Sequence, residues 1–145
     1  MIRAVPDVNV YVSAVLKKSG VCGQILARCR EFLGFTSDPI LSDLSRVMRY
    51  DRIRDLHGMP ATAIDDYIQG LRRRIWRSVG RLRIQVVPND PDDDIIIACA
   101  LETGADYVIS EDHHLLDLKH YHSIQIVSPR DFLEILNREK LLRTK

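Results

Sequence analysis

Between Asp90 and Asp117 the sequence has no lysine and no arginine, while nine acidic residues fall in that span. Other things are scarce as well. No apolar run approaches the roughly 20 residues that a membrane-spanning helix needs, so no membrane partner is expected. Only three cysteines occur, Cys22, Cys29 and Cys99, and no C-x-x-C pairing joins them. That excludes a disulfide framework and a thiolate metal site, and leaves reduced core thiols and a cytoplasmic location as the expectation. Cys22 and Cys29, seven apart, would share the inner face of one helix. Met1-Ile2-Arg3-Ala4-Val5 leads straight into an apolar run with an acid at position 7, unlike a signal peptide. There is no internal repeat, low-complexity tract or glycine-rich phosphate loop. The net charge is only +1, so overall charge names no partner.

What is present is charge segregated along the chain. From Arg46 to Arg83 there are ten arginines and four acidic residues, and the acidic stretch follows almost at once. Within it Asp92-Asp93-Asp94 abuts Ile95-Ile96-Ile97-Ala98-Cys99-Ala100-Leu101, the most apolar run in the chain. Carboxylates this close repel one another, and an adjoining core segment limits their access to water. Such a cluster is costly unless a cation neutralises it. A hard divalent metal with oxygen ligands does so, and Mg²⁺ or Mn²⁺ suits these donors better than zinc. A basic surface beside an acidic pocket suits a polyanionic substrate held over a metal.

The 145 residues suffice for one domain with a core, here residues 1–140, with 141–145 as a flexible tail. Ile2–Pro6 reads as a buried strand. A helix opens at Asp7 or Asn9 and runs to about Lys17. Val21, Ile25, Leu26, Cys29, Phe32 and Leu33 keep helical spacing. Residues 34–37 form a strand or connector. Asp38-Pro39 starts a helix with Ile40, Leu41, Leu44, Val47 and Met48 inward. Residues 51–60 read as a loop, and Ile64 to Ile75 as a helix ending in Arg72-Arg73-Arg74. Ile84–Val87 is a strand stopped by Pro88-Asn89-Asp90-Pro91. Asp92–Thr103 is a helix, Tyr107–Ile109 a strand, Glu111–Leu118 a short helix or turn, and Ile124–Val127 a strand. Ser128-Pro129 caps a last helix running to about Glu139. Alternation of strands and helices predicts a three-layer α/β/α sandwich with a mostly parallel, Rossmann-like sheet. Ligand sites in such sheets lie beyond the strands' carboxyl ends, where Asp7, Asp92 to Asp94 and Asp112 all fall.

Val5-Pro6-Asp7-Val8-Asn9, Asp43 within Ile40 to Val47, Pro91-Asp92-Asp93-Asp94 through Leu101, Ala105 through Ser110-Glu111-Asp112 to Leu116, and Ser128-Pro129-Arg130-Asp131 resemble, in order and spacing, the PIN-domain pattern. The resemblance spans nearly the whole chain and is nearest to prokaryotic toxins of toxin–antitoxin modules, the VapC type. It implies a divalent-metal-dependent endoribonuclease. Asp7, Asp94 and Asp112 become metal carboxylates, with Asp43 a fourth catalytic acid and Asn9 and Ser110 supporting polar groups. Asp43 stands where the family usually has Glu, one methylene longer. Asp92 and Asp93 are adjacent candidates; Asp94 is favoured because it lies four residues before Ala98. The resemblance also implies an RNA substrate, an antitoxin partner and a homodimer.

Each signal has a plainer interpretation beside the functional one. Asp7, Asn9 and Asp112 are good helix caps, and first-turn acids such as Asp92 to Asp94 complement the helix dipole. Asp43, between Ser42 and Ser45, fits a solvated helix position. Neighbouring His113 and His114 do not share a helix face and make a poor chelate. Arg72, Arg73, Arg74 and Arg77 could contact nucleic acid or simply cover a solvated face, and Trp76 could stack on a base. Two rival functions are an RNA-binding module that does not cut and a phosphoacceptor signalling domain. The second lacks the lysine expected after a late strand, since Ile124–Val127 is followed by Ser128-Pro129.

Overall fold

The leading apolar run forms the middle of a sheet. The computed structural model describes residues 1–78, 80–82, 84 and 91–143. In it β1 (Arg3–Pro6) lies between two parallel neighbours, β2 (Leu33–Ser37) and β4 (Tyr107–Ile109). A strand covered on both faces needs apolar residues on both, which Ile2, Ala4 and Val5 supply. β3 (Trp76–Ser78) pairs in parallel outside β2, and β6 (Ile124–Val127) in parallel outside β4. β5 (His120–Tyr121) closes the edge antiparallel to β6. The order is β3-β2-β1-β4-β6-β5. The chain therefore works outward from β1 to β3 and then crosses to the other side at β4. The crevice where the order reverses lies between the carboxyl ends of β1 and β4.

Alternate strand residues feed two cores. Val5, Val108 and Ile126 pack in one with residues of α3 (Asp38–Met48), α5 (Ala61–Arg74) and α6 (Pro91–Thr103). Ala4 and Ile109 pack in the other with α2 (Val21–Ala27) and α8 (Pro129–Arg143). α1 (Val8–Leu16) sends Val8, Tyr11 and Val12 to the first core and Val10 and Ala14 to the second. It thus sits across the sheet's carboxyl edge. These layers are the α/β/α sandwich that the alternation predicts. Cys22 and Cys99 are buried free thiols, and Cys29 is a half-buried one. No described helix is long and apolar enough to cross a membrane.

Several elements depart from the sequence expectation. Residues 51–57, expected as loop, form α4 (Asp51–His57), which ends on Gly58 at φ 66°. None of its residues is buried, so it has no apolar stripe for periodicity to detect. Asp51 in its first turn and Arg54 and His57 in its last suit the helix dipole instead. α2 stops at Ala27, which frees Leu33 to enter β2. Trp76–Ser78, expected to continue the α5 region, is an edge strand. α7 (His113–Leu118) is a helix, and α8 continues to Arg143 rather than fraying after Glu139. The expected strand Ile84–Val87 lies outside the described residues apart from Ile84.

α8 is part of the second core. Phe132 is fully buried, with its ring edge-on to Phe32 at 5.1 Å and to Tyr107 at 6.0 Å. Phe132→Ala is expected to lower unfolding free energy by about 3–5 kcal/mol in urea titrations. A loss under about 1 kcal/mol would mean that α8 is an appendage and not a core element.

Candidate metal centre

Parallel register delivers the first groups. Pro6 pairs with Ile109, so Asp7 and Ser110 leave the sheet side by side, and the Asp7 N–H donates to the Ile109 carbonyl at 2.8 Å. Asp7 is the N-cap of α1, and its Oδ1 accepts from the Val8 N–H at 2.7 Å. Its Oδ2 accepts from Ser110 Oγ at 2.6 Å and from Asn9 Nδ2 at 3.2 Å. Ser110 Oγ in turn accepts from the Asp112 N–H at 2.9 Å, and Asp112 caps α7 through the His114 N–H at 3.0 Å. The capping and functional interpretations of these residues are therefore compatible. The caps hold the carboxylates in place, with Ser110 as the link between Asp7 and Asp112.

The third carboxylate comes from α6. Ligand oxygens of Asp7, Asp93 and Asp112 all lie within 4.8 Å of one another. Of Asp92, Asp93 and Asp94 it is Asp93 that joins this group; Asp94, favoured by its spacing to Ala98, is not among the three. Consecutive helix residues point about 100° apart, so one of Asp92, Asp93 and Asp94 is aimed at a given spot. Asp93 shares its face with Ile96, Ile97 and Ala100, all fully buried in the core beneath the cleft. Asp94 is buried on the neighbouring face and does not line the cleft. Spacing to Ala98 selects Asp94, but Ala98 is not in that core cluster.

The cleft has a volume of about 460 Å³ and is also lined by Asp43, Asp92, Asn9, Ser13 and Val47. Asp43 from α3 and Asp92 from α6 are both ion-paired with Arg46. In the sequence Arg46 stands out only as the start of the arginine-rich stretch and by its i,i+3 spacing to Asp43. Glu111 turns away from the centre, accepting from Ser13 Oγ at 3.3 Å and Cys22 Sγ at 3.1 Å. Burial, then Glu111, pushes the Cys22 thiol up to about 12, so it is an inert core group. Arg72 and Arg77 both reach Asp38 Oδ1, at 3.2 and 3.3 Å, while Arg73, Arg74 and Trp76 are exposed.

Electrostatics fit a cation. Burial is the main reason the Asp7 carboxyl is pushed up to about 6, and the charges of Asp112 and Asp43 add to it. The bonds from Ser110 and Val8 oppose the rise without cancelling it. Three converging carboxylates, two of them buried, form an all-oxygen donor set of the kind hard divalent ions take. A family model described as PIN domain matches residues 3–114, a span that contains Asp7, Asp43, Asp93 and Asp112. No curated protein matches the chain.

The raised Asp7 value fixes a pH dependence. Folding lifts this carboxyl above its ordinary value near 4, so the folded chain holds the proton more tightly than the unfolded chain. Without metal, stability should fall as pH rises from about 4 to about 6, then level off, at a cost on the order of 3 kcal/mol. Urea titrations in chelator across that window test this. Asp7→Asn should flatten the slope; an unchanged slope in that variant would show that Asp7 is not its source.

Proposed function

The chain belongs to the PIN-domain family, whose members are generally nucleases acting on RNA or DNA, and from that premise we propose that it is a divalent-metal-dependent endoribonuclease. The observation that carries this is the convergence of Asp7, Asp93 and Asp112 at the sheet's crossover crevice. Asp7, Asp93 and Asp112 would hold Mg²⁺ or Mn²⁺. A bound cation of this kind polarises the scissile phosphate and lowers the pKa of a water molecule. Ser110 and Asn9 keep Asp7 oriented by donating to its Oδ2, and Ser110 Oγ also anchors Asp112 by accepting from its N–H. Asp43 and Asp92 line the cleft and share Arg46, so Asp43, largely covered and already ion-paired, fits a supporting acid better than a direct ligand.

The substrate strand is supported by the basic edge. Trp76 is 65% exposed on edge strand β3, with Arg73 and Arg74 just before it and Arg77 just after. An exposed indole among guanidiniums suits stacking and phosphate contact with a single strand. Arg72 and Arg77 meet Asp38 at the start of α3, and Asp43 follows five residues on, about 7.5 Å along the helix. The edge and the cleft are thus joined along one helix. We assign the protein to the toxin arm of a toxin–antitoxin pair, in which an antitoxin restrains it by covering the open cleft; a homodimer belongs to the same assignment.

Cleavage of single-stranded RNA should require Mg²⁺ or Mn²⁺ and stop with chelator. Asp93→Asn and Asp112→Asn should each lose at least about 100-fold in rate, with Mn²⁺ binding weakened in calorimetry. Asp94→Asn, checked for folding by circular dichroism, should lose less than about tenfold. The reverse ranking of Asp93 and Asp94 would move the centre. RNA binding without metal-dependent cleavage would make the chain a binding module instead.

A further inference from the structure

We propose that Arg46, paired with two of the cleft's carboxylates, takes the place of a second cation beside the cleft and is the group that grips the scissile phosphate. This rests on the nuclease reading of the same cleft. Five of the described aspartates line the cleft, and they divide into two sets. Asp7, Asp93 and Asp112 converge. Asp43 and Asp92, from different helices, instead share one nitrogen: Arg46 Nη2 donates to Asp43 and, at 3.2 Å, to Asp92. A guanidinium thereby bridges two of the cleft's lining carboxylates from its solvent side.

The guanidinium is held for use. Its other terminal nitrogen, Nη1, donates to Tyr50 Oη, and its central carbon lies 5.7 Å from the Tyr50 ring centroid. Tyr50 and Asp43 therefore fix the plane of the fork. The third partner, Asp92, is 60% exposed, and the Arg46 side chain is 53% exposed. An ion pair this open to water is weak and easily exchanged. A phosphate entering the cleft can take the place of Asp92 on the fork with two parallel N–H bonds, a geometry that lysine cannot match. Arg46 also offsets carboxylate charge that would repel a polyanion, and it denies Asp43 and Asp92 to a second metal ion.

Mn²⁺ stoichiometry by calorimetry, with kcat and KM on single-stranded RNA, tests this in wild type, Arg46→Ala and Arg46→Lys. Wild type should bind one Mn²⁺. Arg46→Ala should bind two, return to one when Asp43→Asn is added, and lose about 100-fold in kcat. Arg46→Lys should bind one, with KM near wild type and an intermediate kcat. If Arg46→Ala does not fold, Arg46→Gln keeps the polar contacts, loses the charge and carries the same two expectations. Two ions in wild type overturn the proposal, as does a neutral variant that still binds one ion or keeps kcat within about threefold. Wild type that binds no Mn²⁺ and cuts nothing removes the nuclease reading itself. Wild type that binds and cuts, with neutral variants indistinguishable from it, removes only the role of Arg46.

Discussion

Everything at the functional edge depends on one electrostatic conflict: carboxylates gathered where water is scarce. Asp7 and Asp93 are 6% and 4% exposed, and Asp112 stands beside them. For Asp7, burial and the neighbouring carboxylates oppose ionisation. The fold tolerates the group because its members are held by rigid parts. Asp7 caps a helix at the end of the central strand, Asp112 caps another at the end of the neighbouring strand, and Asp93 rides on a helix whose opposite faces are embedded in the core. Folding energy from two apolar layers maintains an arrangement that its own charges resist. A bound cation would relieve the conflict, so the proposed metal affinity and the expected metal-free instability would share one cause.

The two sides of the cleft are built differently. The inner side is set by backbone register and capping, with Ser110 joining Asp7 to Asp112. The outer side is set by side chains of α3 and the first turn of α6, joined through Arg46. The inner groups are tied to the backbone, and Asp7 and Asp93 are buried; on the outer side Arg46 and Asp92 are exposed, while Asp43 is largely covered. That arrangement suits a polyanion that must approach an acidic centre, since an exposed guanidinium offsets the exposed carboxylate at its entrance. The basic edge around Trp76 extends the same logic along the start of α3.

Much of the fold is legible in the sequence because buried segments carry strong patterns. The apolar runs at Ile2–Pro6 and Ile95–Leu101, the Asp38-Pro39 helix start and the Ser128-Pro129 cap all correspond to observed elements. What escapes notice has no apolar signature. α4 buries nothing, and β3 holds three residues, two of them exposed. β3 exists because Thr36 and its neighbours in β2 offer an unpaired edge, a tertiary fact that no local propensity in Trp76-Arg77-Ser78 announces.

By itself the sequence determined the class of fold and the gathering of acids beyond the carboxyl ends of the strands. Periodicity and the placement of acids after apolar strands are local properties, and they survive in one dimension. Only the tertiary structure decided which of three consecutive aspartates meets Asp7 and Asp112, because that depends on the rotation of α6 against the core through Ile96, Ile97 and Ala100. Only it placed Arg46 between Asp43 and Asp92, residues 49 positions apart in the chain. Direction and long-range contact are properties of packing, and spacing along a chain does not encode them.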